Sequence, residues 1–227
     1  MIRMAIFDMA GTTVNENNLV YKAVREAVNL YGFDFTLDEV LAEAAGREKL
    51  QGIKSVLALK GVRDEKLAGE IFEKFRQLLD ETYRTQPVSE QANAGLLFHE
   101  LRQKGILVVL NTGYNRETAE TLIEKIGWRP DIDFDGLVTA SDVNENRPQP
   151  DMIRLAMQQF GITDALEVLK IGDSVIDIEE GRNAGCRFCI GITTGAHTRY
   201  QLQSASPDFI VDNLIELLPV IDQENKG

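Results

Sequence analysis

The feature of this sequence that most constrains its fold is a series of short apolar segments, each followed at once by a polar loop. Continuous apolar runs of this length are typical of strands buried in a parallel sheet. The predicted strands are Arg3–Phe7, Ile106–Leu110, Phe134–Thr139, Leu166–Ile171, Arg187–Ile192 and Phe209–Val211. Segments with helical periodicity accompany the later strands, at Asn93–Lys104, Arg116–Ile126, Asp151–Phe160 and Ile176–Ala184. Strands that alternate with helices predict an α/β fold with a doubly wound, Rossmann-like parallel sheet.

This alternation fails between the first two strands, where nearly seventy residues carry only helical patterns. The predicted helices there are Val20–Tyr31, Leu37–Ala45, Lys49–Leu59 and Glu65–Arg84. One crossover connection does not need so many residues, so we predict an inserted α-helical cap over residues 17–85. The core domain then comprises residues 1–16 and 86–227. Because the insert leaves the sheet just after the first strand, it can lie over the carboxyl ends of the strands as a lid does.

Composition and charge disfavour several classes of function. The net charge of −12 argues against non-specific binding to nucleic acid or to an anionic membrane, because both need clustered Lys and Arg. A small anionic substrate needs only a local positive pocket. The chain has no run of eighteen apolar residues and no signal-peptide layout, so a cytoplasmic location is expected. Cys186 and Cys189 lack a second Cys/His pair, which favours buried free thiols. The tail after Asp222 is expected to fray.

Polar side chains that can carry chemistry follow the predicted strands. Asp8 ends the first strand, Thr112 follows the second, and Asp173 follows a later one. Ligands of α/β sheets bind at this edge. Asp8 and Asp173 together would form an oxygen-only site suited to Mg²⁺, and an Asp carboxylate can attack phosphorus to form an acyl phosphate. Thr112, predicted at a helix N-terminus, can hold a phosphoryl oxygen. Arg147 can offset developing negative charge.

With these residues in this order, the chain resembles the haloacid dehalogenase (HAD) superfamily of aspartate-nucleophile hydrolases over nearly its whole length. The residues at its four motif positions are Asp8, Thr112, Arg147 and the pair Asp173 and Asp177. The resemblance implies Mg²⁺ as the cofactor, bound by Asp8, Asp173 and the backbone carbonyl of Ala10. Asp177 would support these ligands without binding the metal directly.

The residue two positions after Asp8 indicates which group within the superfamily the chain resembles. Most phosphatases of the superfamily carry a second Asp there as general acid and base, and losing such a group lowers the rate about 10²–10⁴-fold. Here the position is Ala10, which disfavours ordinary phosphate esters. The run from Asp8 to Thr13, the Arg at position 147 and Thr112-Gly113-Tyr114 are similar to the phosphonoacetaldehyde hydrolase (phosphonatase) group. The residues assigned by this resemblance to phosphate or substrate binding are Thr12, Gly113, Tyr114 and Arg47.

Phosphonatases also use a cap lysine that forms a Schiff base with the substrate aldehyde. The resulting iminium lets the C–P bond break without an acid on the leaving group. Gly46-Arg47-Glu48-Lys49 matches the group's Gly-x-x-Lys, which makes Lys49 the candidate. Lys54 is the weaker alternative, because five residues along a helix turn it by about 140°. Such a lysine must be partly unprotonated, and burial beside Arg47 and Arg147 would lower its pKa.

The chain departs from the phosphonatase pattern where the substrate would bind. Gly52 stands in place of a His three residues after the Schiff-base lysine. The other departures are Ala45, Asn18 and Met9, in place of a Met, a Cys and a Trp. The core is therefore phosphonatase-like, whereas the substrate-facing part differs. Of the two histidines, His99 is predicted to be structural within a helix, and His197 follows the last core strand nearer to the site.

Three functions stay open at this stage. The first is Mg²⁺-dependent hydrolysis of the C–P bond of phosphonoacetaldehyde or a related carbonyl phosphonate, with Asp8 as nucleophile and Lys49 as the Schiff base. The second is a phosphatase for a small phosphate ester, an acyl phosphate or an enol phosphate. The third is a non-catalytic binding or regulatory protein, which the intact motif residues disfavour. The expected partner is the small substrate, and the resemblance also implies a homodimer.

Overall fold

The computed structural model describes residues 1–226, and its centre is a six-stranded parallel sheet. In chain order the strands are β1 (Met4–Phe7), β2 (Val14–Asn15), β3 (Ser89–Glu90), β4 (Leu107–Thr112), β5 (Gly136–Thr139), β6 (Val168–Gly172), β7 (Phe188–Ile192) and β8 (Phe209–Val211). The central sheet has the order β5-β4-β1-β6-β7-β8, and every neighbouring pair is parallel. The predicted α/β fold is confirmed.

Helices account for most of the remaining chain. They are α1 (Leu19–Leu30), α2 (Leu37–Ala44), α3 (Lys49–Ala58), α4 (Glu65–Thr85), α5 (Ala94–Gln103), α6 (Arg116–Ile126), α7 (Asp151–Gln159), α8 (Val175–Ala184), α9 (Arg199–Gln203) and α10 (Leu217–Lys226). Side chains that accept a backbone N–H in the first turn start many of them, namely Thr36, Glu48, Asp64, Asn115, Ser174 and Thr198. Within residues 1–226, none of these helices combines the length and the apolar character that crossing a membrane requires.

The sheet has a hydrophobic core on each face, because successive strand residues point in opposite directions. On β1, Ala5 and Phe7 belong to one core, where the Phe7 ring lies 5.3 Å from that of Phe98 on α5. Met4 and Ile6 belong to the other core, together with side chains of α7 and α8. Helices therefore cover both faces of the sheet, as in a doubly wound fold.

The helical insert between β2 and β3 has its own packing. Helix α1 packs against α4, and α2 packs against α3. The chain enters and leaves the insert through β2 and β3, which pair as a two-stranded antiparallel ribbon. The sequence analysis missed this ribbon, because two residues are too few for a period-2 pattern to be recognised. The boundaries at residues 17 and 85 stay a prediction.

Residues 223–226 are helical, so the expectation of a frayed tail is wrong for the part of the tail that the structure describes. Helix α10 continues to Lys226. The side chain of Asn225 accepts a hydrogen bond from the backbone N–H of Ile2, and Glu224 lies 2.7 Å from the Arg187 guanidinium. These contacts join the last helix to the first strand region and to β7.

Candidate active site

Three neighbouring strands bring the predicted acidic residues together. In the register of the sheet, Phe7 of β1 lies between Leu110 of β4 and Ile171 of β6, so the residues that follow these strands share one edge. Carboxylate oxygens of Asp8, Asp173 and Asp177 lie within 4.8 Å of one another, and all three side chains are buried.

Arg147 connects these acids to the rest of the site. Its guanidinium lies 2.7 Å from Asp8 Oδ1 and 2.9 Å from both Asp177 Oδ1 and Glu180 Oε2. It also donates to the backbone carbonyl of Asn111 over 2.7 Å, and to the side-chain oxygen of the same residue. A planar fork of donors can hold several acceptors at fixed angles, which an ammonium group cannot do. Arg147 therefore fixes the orientation of Asp8.

Lys170 is a second buried cation, and the sequence analysis missed it. Its Nζ lies 3.0 Å from Asp177 Oδ1 and 3.1 Å from Glu180 Oε2, and it donates to Asn111 Oδ1 over 2.9 Å. The signal was present, because a lysine inside an otherwise apolar strand is rarely buried without a partner. Glu180 lies one helical turn after Asp177 on α8, so both carboxylates point to the same cations.

The balance of charge leaves room for a divalent cation. The site contains two cations, Arg147 and Lys170. They face four carboxylates, those of Asp8, Asp173, Asp177 and Glu180. The formal charge of this group is therefore −2. Burial and the neighbouring acids raise the pKa of Asp8 and that of Asp173. By contrast, Arg147 and Lys170 lower the pKa of Asp177 despite its burial. Asp8 and Asp173 are thus the acids without sufficient counter-charge, and their oxygen donors fit Mg²⁺.

The loops around Asp173 leave little space beside its carboxylate. Asp173 Oδ2 accepts the backbone N–H of Ala196 over 2.6 Å. A Cβ atom on Gly195 would overlap Asp173 Oδ2, so the close approach requires glycine. The Thr12 hydroxyl, on the loop after β1, is buried and has no hydrogen-bond partner within residues 1–226. A buried hydroxyl without a partner can donate to a phosphoryl oxygen.

Thr112 is placed differently from the prediction. It is the last residue of β4, whereas α6 begins at Arg116 and is capped by the Asn115 side chain. Its hydroxyl accepts the backbone N–H of Tyr114 over 3.2 Å. The expectation that Thr112 stands at a helix N-terminus is therefore wrong, because three residues of loop separate strand and helix. It still lies at the strand edge that carries Asp8.

Lys49 is buried at the start of α3, where the insert contacts the core. Its Nζ lies 5.3 Å from the centre of the Tyr21 ring and 5.0 Å from that of the Tyr114 ring, over both aromatic faces. It donates to the Arg47 carbonyl over 3.1 Å. Burial is the largest cause that lowers the pKa of Lys49; Asp8 opposes that change, and Arg147 adds to it. The ammonium form is thus disfavoured beside the acidic edge.

Two other positions of the insert bear on the phosphonatase resemblance. The Arg47 side chain donates from Nε to the carbonyl of Glu43, and no contact of its guanidinium with Asp8 or Lys49 occurs in the part of the chain that the structure describes. Gly52 lies at the crossing of α3 and α2, where an added Cβ would come within 3.0 Å of the Ala44 Cβ. Position 52 is therefore a site of close packing against α2, where even an added Cβ would be tight.

A cleft between insert and core opens beside Lys49. Its volume is about 260 Å³, and its lining includes Lys49, Phe75, Leu79 and Tyr114. A larger surface cavity of about 570 Å³ lies at the other end of β4, near Trp128, and none of the groups described above lines it. Of these two cavities, only the smaller one is lined by Lys49 and Tyr114.

Comparison with known proteins agrees with this geometry. The profile of the haloacid dehalogenase-like hydrolases matches residues 5–190. The chain belongs to this family. It is a hydrolase of the HAD superfamily, and the match spans β1, the helical insert and the strand ends that carry the acids.

Relatives of this hydrolase have two different names at nearly equal similarity. The chain is 28% identical to the phosphonoacetaldehyde hydrolase of Bacillus cereus over 224 residues, which cover 89% of this chain and 81% of the relative. It is 27% identical to the pyrophosphatase PpaX of Bacillus cereus over 226 residues, covering 100% and 99%. A phosphonoacetaldehyde hydrolase like protein from Oleispira antarctica shares the fold, with a TM-score of 0.82, 24% identity and coverage of 99% and 93%.

The side chains of the remaining candidates from the sequence make no hydrogen bond to the acids of this edge within residues 1–226, although the backbone N–H of His197 donates to the Asp173 carbonyl. His99 is exposed on α5. His197 is buried and connects core to insert, because its Nδ1 accepts the Val175 N–H over 3.0 Å and its Nε2 lies 3.3 Å from the Leu41 carbonyl. Burial lowers the pKa of His197. Cys186 and Cys189 are buried free thiols, as expected.

Proposed function

We propose that this HAD hydrolase cleaves the C–P bond of phosphonoacetaldehyde or a related carbonyl phosphonate, with Asp8 as the nucleophile and Lys49 as the Schiff base. The observation that carries this proposal is the placement of Lys49. It is a buried amine with a lowered pKa, it lies between two tyrosine faces, and its charge interacts with Asp8 and Arg147.

The residues at the strand edge carry out the phosphoryl transfer. Asp8 attacks phosphorus from the orientation that Arg147 fixes, and water later hydrolyses the acyl phosphate and restores the carboxylate. Mg²⁺, bound by Asp8, Asp173 and the Ala10 carbonyl with support from Asp177, would neutralise phosphoryl charge and align the attack. The proposed phosphate contacts are Thr12, Thr112 and Gly113, with Tyr114 and Arg47 assigned by resemblance.

Lys49 reacts with the carbonyl group of the substrate. Its neutral amine adds to the substrate carbonyl, and loss of water gives an iminium. The electron pair of the breaking C–P bond then moves into the iminium, which becomes an enamine. Protonation at carbon and hydrolysis return the amine and release the dephosphonated carbonyl product. No acid has to protonate a leaving oxygen, which agrees with Ala10 at the position of the usual second Asp.

A phosphatase is the second candidate, and one observation favours it. Gly52 packs against Ala44, so the proton-transferring His of phosphonatases has no counterpart at that position. The similarity to a pyrophosphatase at 27% identity points the same way. In this alternative Lys49 would act only as a fixed positive charge at the cap. The inferred homodimer and the cytoplasmic location stay predictions.

The two candidates differ in what Lys49 does, so its replacement distinguishes them. We would measure phosphate release from phosphonoacetaldehyde, acetyl phosphate and p-nitrophenyl phosphate with Mg²⁺, for the native chain and Lys49→Arg. Arginine keeps the charge and cannot form an imine. Lys54→Arg is the matched control, because Lys54 pairs with Glu65 on the insert.

We expect turnover of the phosphonate that Lys49→Arg abolishes and Lys54→Arg retains. Cleavage of only acetyl phosphate and p-nitrophenyl phosphate, with Lys49→Arg still active, would favour the phosphatase.

A further inference from the structure

One buried acid near Lys49 has no part in the reaction proposed above. Glu16, between β2 and α1, is only 2% exposed. Its Oε2 accepts the backbone N–H of Val20 over 2.8 Å and the hydroxyl of Tyr83 over 3.3 Å. Burial raises the pKa of Glu16, and the Lys49 charge opposes this change. Burial therefore favours the protonated form of Glu16 more than that of an exposed carboxyl group, although the hydrogen bonds from Val20 and Tyr83 oppose this change.

The Tyr83 hydroxyl continues the connection from the insert into the core. It lies 2.6 Å from the hydroxyl of Tyr114, and both rings are buried. The two rings meet edge to face, with their centres 6.3 Å apart. Burial raises the pKa of both phenols well above 10, so both keep their protons. Tyr114 in turn lines the cleft and lies under Lys49. Glu16, Tyr83 and Tyr114 thus form one buried hydrogen-bonded chain, and the centre of its last ring lies 5.0 Å from Lys49 Nζ.

We propose that Glu16 is the proton reservoir of the Lys49 half of the site and acts through Tyr83 and Tyr114. The inference rests on the proposed function. It supplies the proton transfer that position 52 cannot supply, since Gly52 packs against α2. Glu16 is a positioning and relay residue, whereas Tyr114 is the member of the chain that lines the cleft.

The protons balance over one turnover, because the proton that the enamine carbon takes up is supplied by the water that hydrolyses the acyl phosphate, and the relay carries the other two transfers. The carbinolamine oxygen takes a proton from Tyr114 and leaves as water. Tyr114 is reprotonated by Tyr83, and Tyr83 by Glu16, which ends as a carboxylate. When water later adds to the iminium, it releases one proton, and the same path returns that proton to Glu16. No oxidant or further reactant is needed.

The alternative is that Glu16 only caps helix α1. Asn18, at the formal cap position, makes no side-chain bond to the first turn, and Glu16 does. Glu16→Gln separates the two roles, because the amide oxygen can still accept from Val20 and Tyr83 but cannot give up a proton. Asp64→Asn is the matched control, because Asp64 is an exposed capping acid at the start of α4.

The test measures single-turnover trapping of the imine by borohydride, and kcat and KM, with phosphonoacetaldehyde and Mg²⁺. We expect Glu16→Gln to melt like the native chain, to lower kcat and the trapping rate about 10²-fold, and to leave KM nearly unchanged. Glu16→Asp should recover part of the loss. Tyr83→Phe removes only the bridging hydroxyl, so it should match Glu16→Gln. The double variant should be no slower than either single one, because both break the same path.

Native rates in Glu16→Gln or in Tyr83→Phe, together with normal trapping in the native chain, would overturn the relay alone. Absence of both trapping and phosphonate turnover in the native chain would overturn the proposed function, and the relay with it.

Discussion

The Arg147 guanidinium lies 2.7 Å from the Asp8 carboxylate, and its side chain is 1% exposed. A cation buried this deeply is stabilised by the carboxylates around it, and without it those carboxylates would be buried charges lacking a partner. The carboxylate of Asp8, the proposed nucleophile, is thus oriented by an ion-pair network that crosses from the loop before α7 to the end of β1. The same network makes the fold sensitive to each of its charges.

Replacing Arg147 by Met should destabilise the protein strongly. The change leaves Asp8, Asp177 and Glu180 with Lys170 as the remaining cation of the network. We expect the free energy of unfolding to fall by about 3–5 kcal/mol, as measured by urea denaturation. Arg129→Met, which breaks an exposed pair with Asp133, should change it by about 1 kcal/mol or less. Similar small losses for both variants would contradict a network held by Arg147.

Mg²⁺ should stabilise the folded chain through Asp8 and Asp173. Binding at 100 times Kd contributes about 2.7 kcal/mol, or roughly 5–10 °C in Tm. Asp173→Asn removes one acid of the uncompensated pair. This variant should melt higher than the native chain when both are in EDTA, and it should gain little from Mg²⁺. Differential scanning calorimetry checks both statements. A Mg²⁺ shift that survives Asp173→Asn would place the ion elsewhere.

Imine formation should begin at a lower pH than for an ordinary lysine. Burial lowers the pKa of Lys49 below its usual value of 10.5. A depressed pKa means that the neutral amine persists as the pH falls, until the pH passes the folded-state value. Borohydride trapping should therefore rise with pH along a limb whose midpoint lies below 10.5. A midpoint at 10.5 or above, from trapping rates between pH 6 and 11, would show that Lys49 is solvated.

Closure of the insert onto the core should depend on Gly46. Its φ is +73°, and an added Cβ would overlap the Ser174 hydroxyl on the core. Gly61 has the same φ of +73° but no atom within 4 Å of such a Cβ. Both Ala variants should lose about 1 kcal/mol of stability from backbone strain. Only Gly46→Ala should also lower kcat/KM, by tenfold or more. Equal kinetics for the two variants would mean that this contact does not position Lys49.

The sequence was sufficient for the sheet because apolar strand runs and helical periodicity are local signals. The ends of the strands could be predicted once the strands were recognised, and so could the proximity of Asp8 and Asp173. Thr112 was misplaced because the loop between β4 and α6 has no periodic pattern to mark its length. Lys170 was not predicted as a site residue, because the strand around it is otherwise apolar. A lysine in such a strand is rarely buried without a charged partner, so this residue was itself a sign of the site.

Glu16 and Tyr83 could not have been connected from the sequence. They are 67 positions apart, and Glu16 lies outside every regular element. Their contact exists because α1 packs against α4 and the β2–β3 ribbon brings the two ends of the insert together. Similarly, the packing role of Gly52 appears only when α2 and α3 cross. Non-local packing, and not propensity, decided these positions.

The most direct test of the central claim is the mass of the native protein after borohydride reduction in the presence of phosphonoacetaldehyde and Mg²⁺, followed by peptide mapping. We expect a covalent adduct of one reduced two-carbon or phosphonoethyl unit on the peptide that contains Lys49, and no adduct in Lys49→Arg. An unmodified Lys49 peptide under conditions where phosphate is released would contradict it.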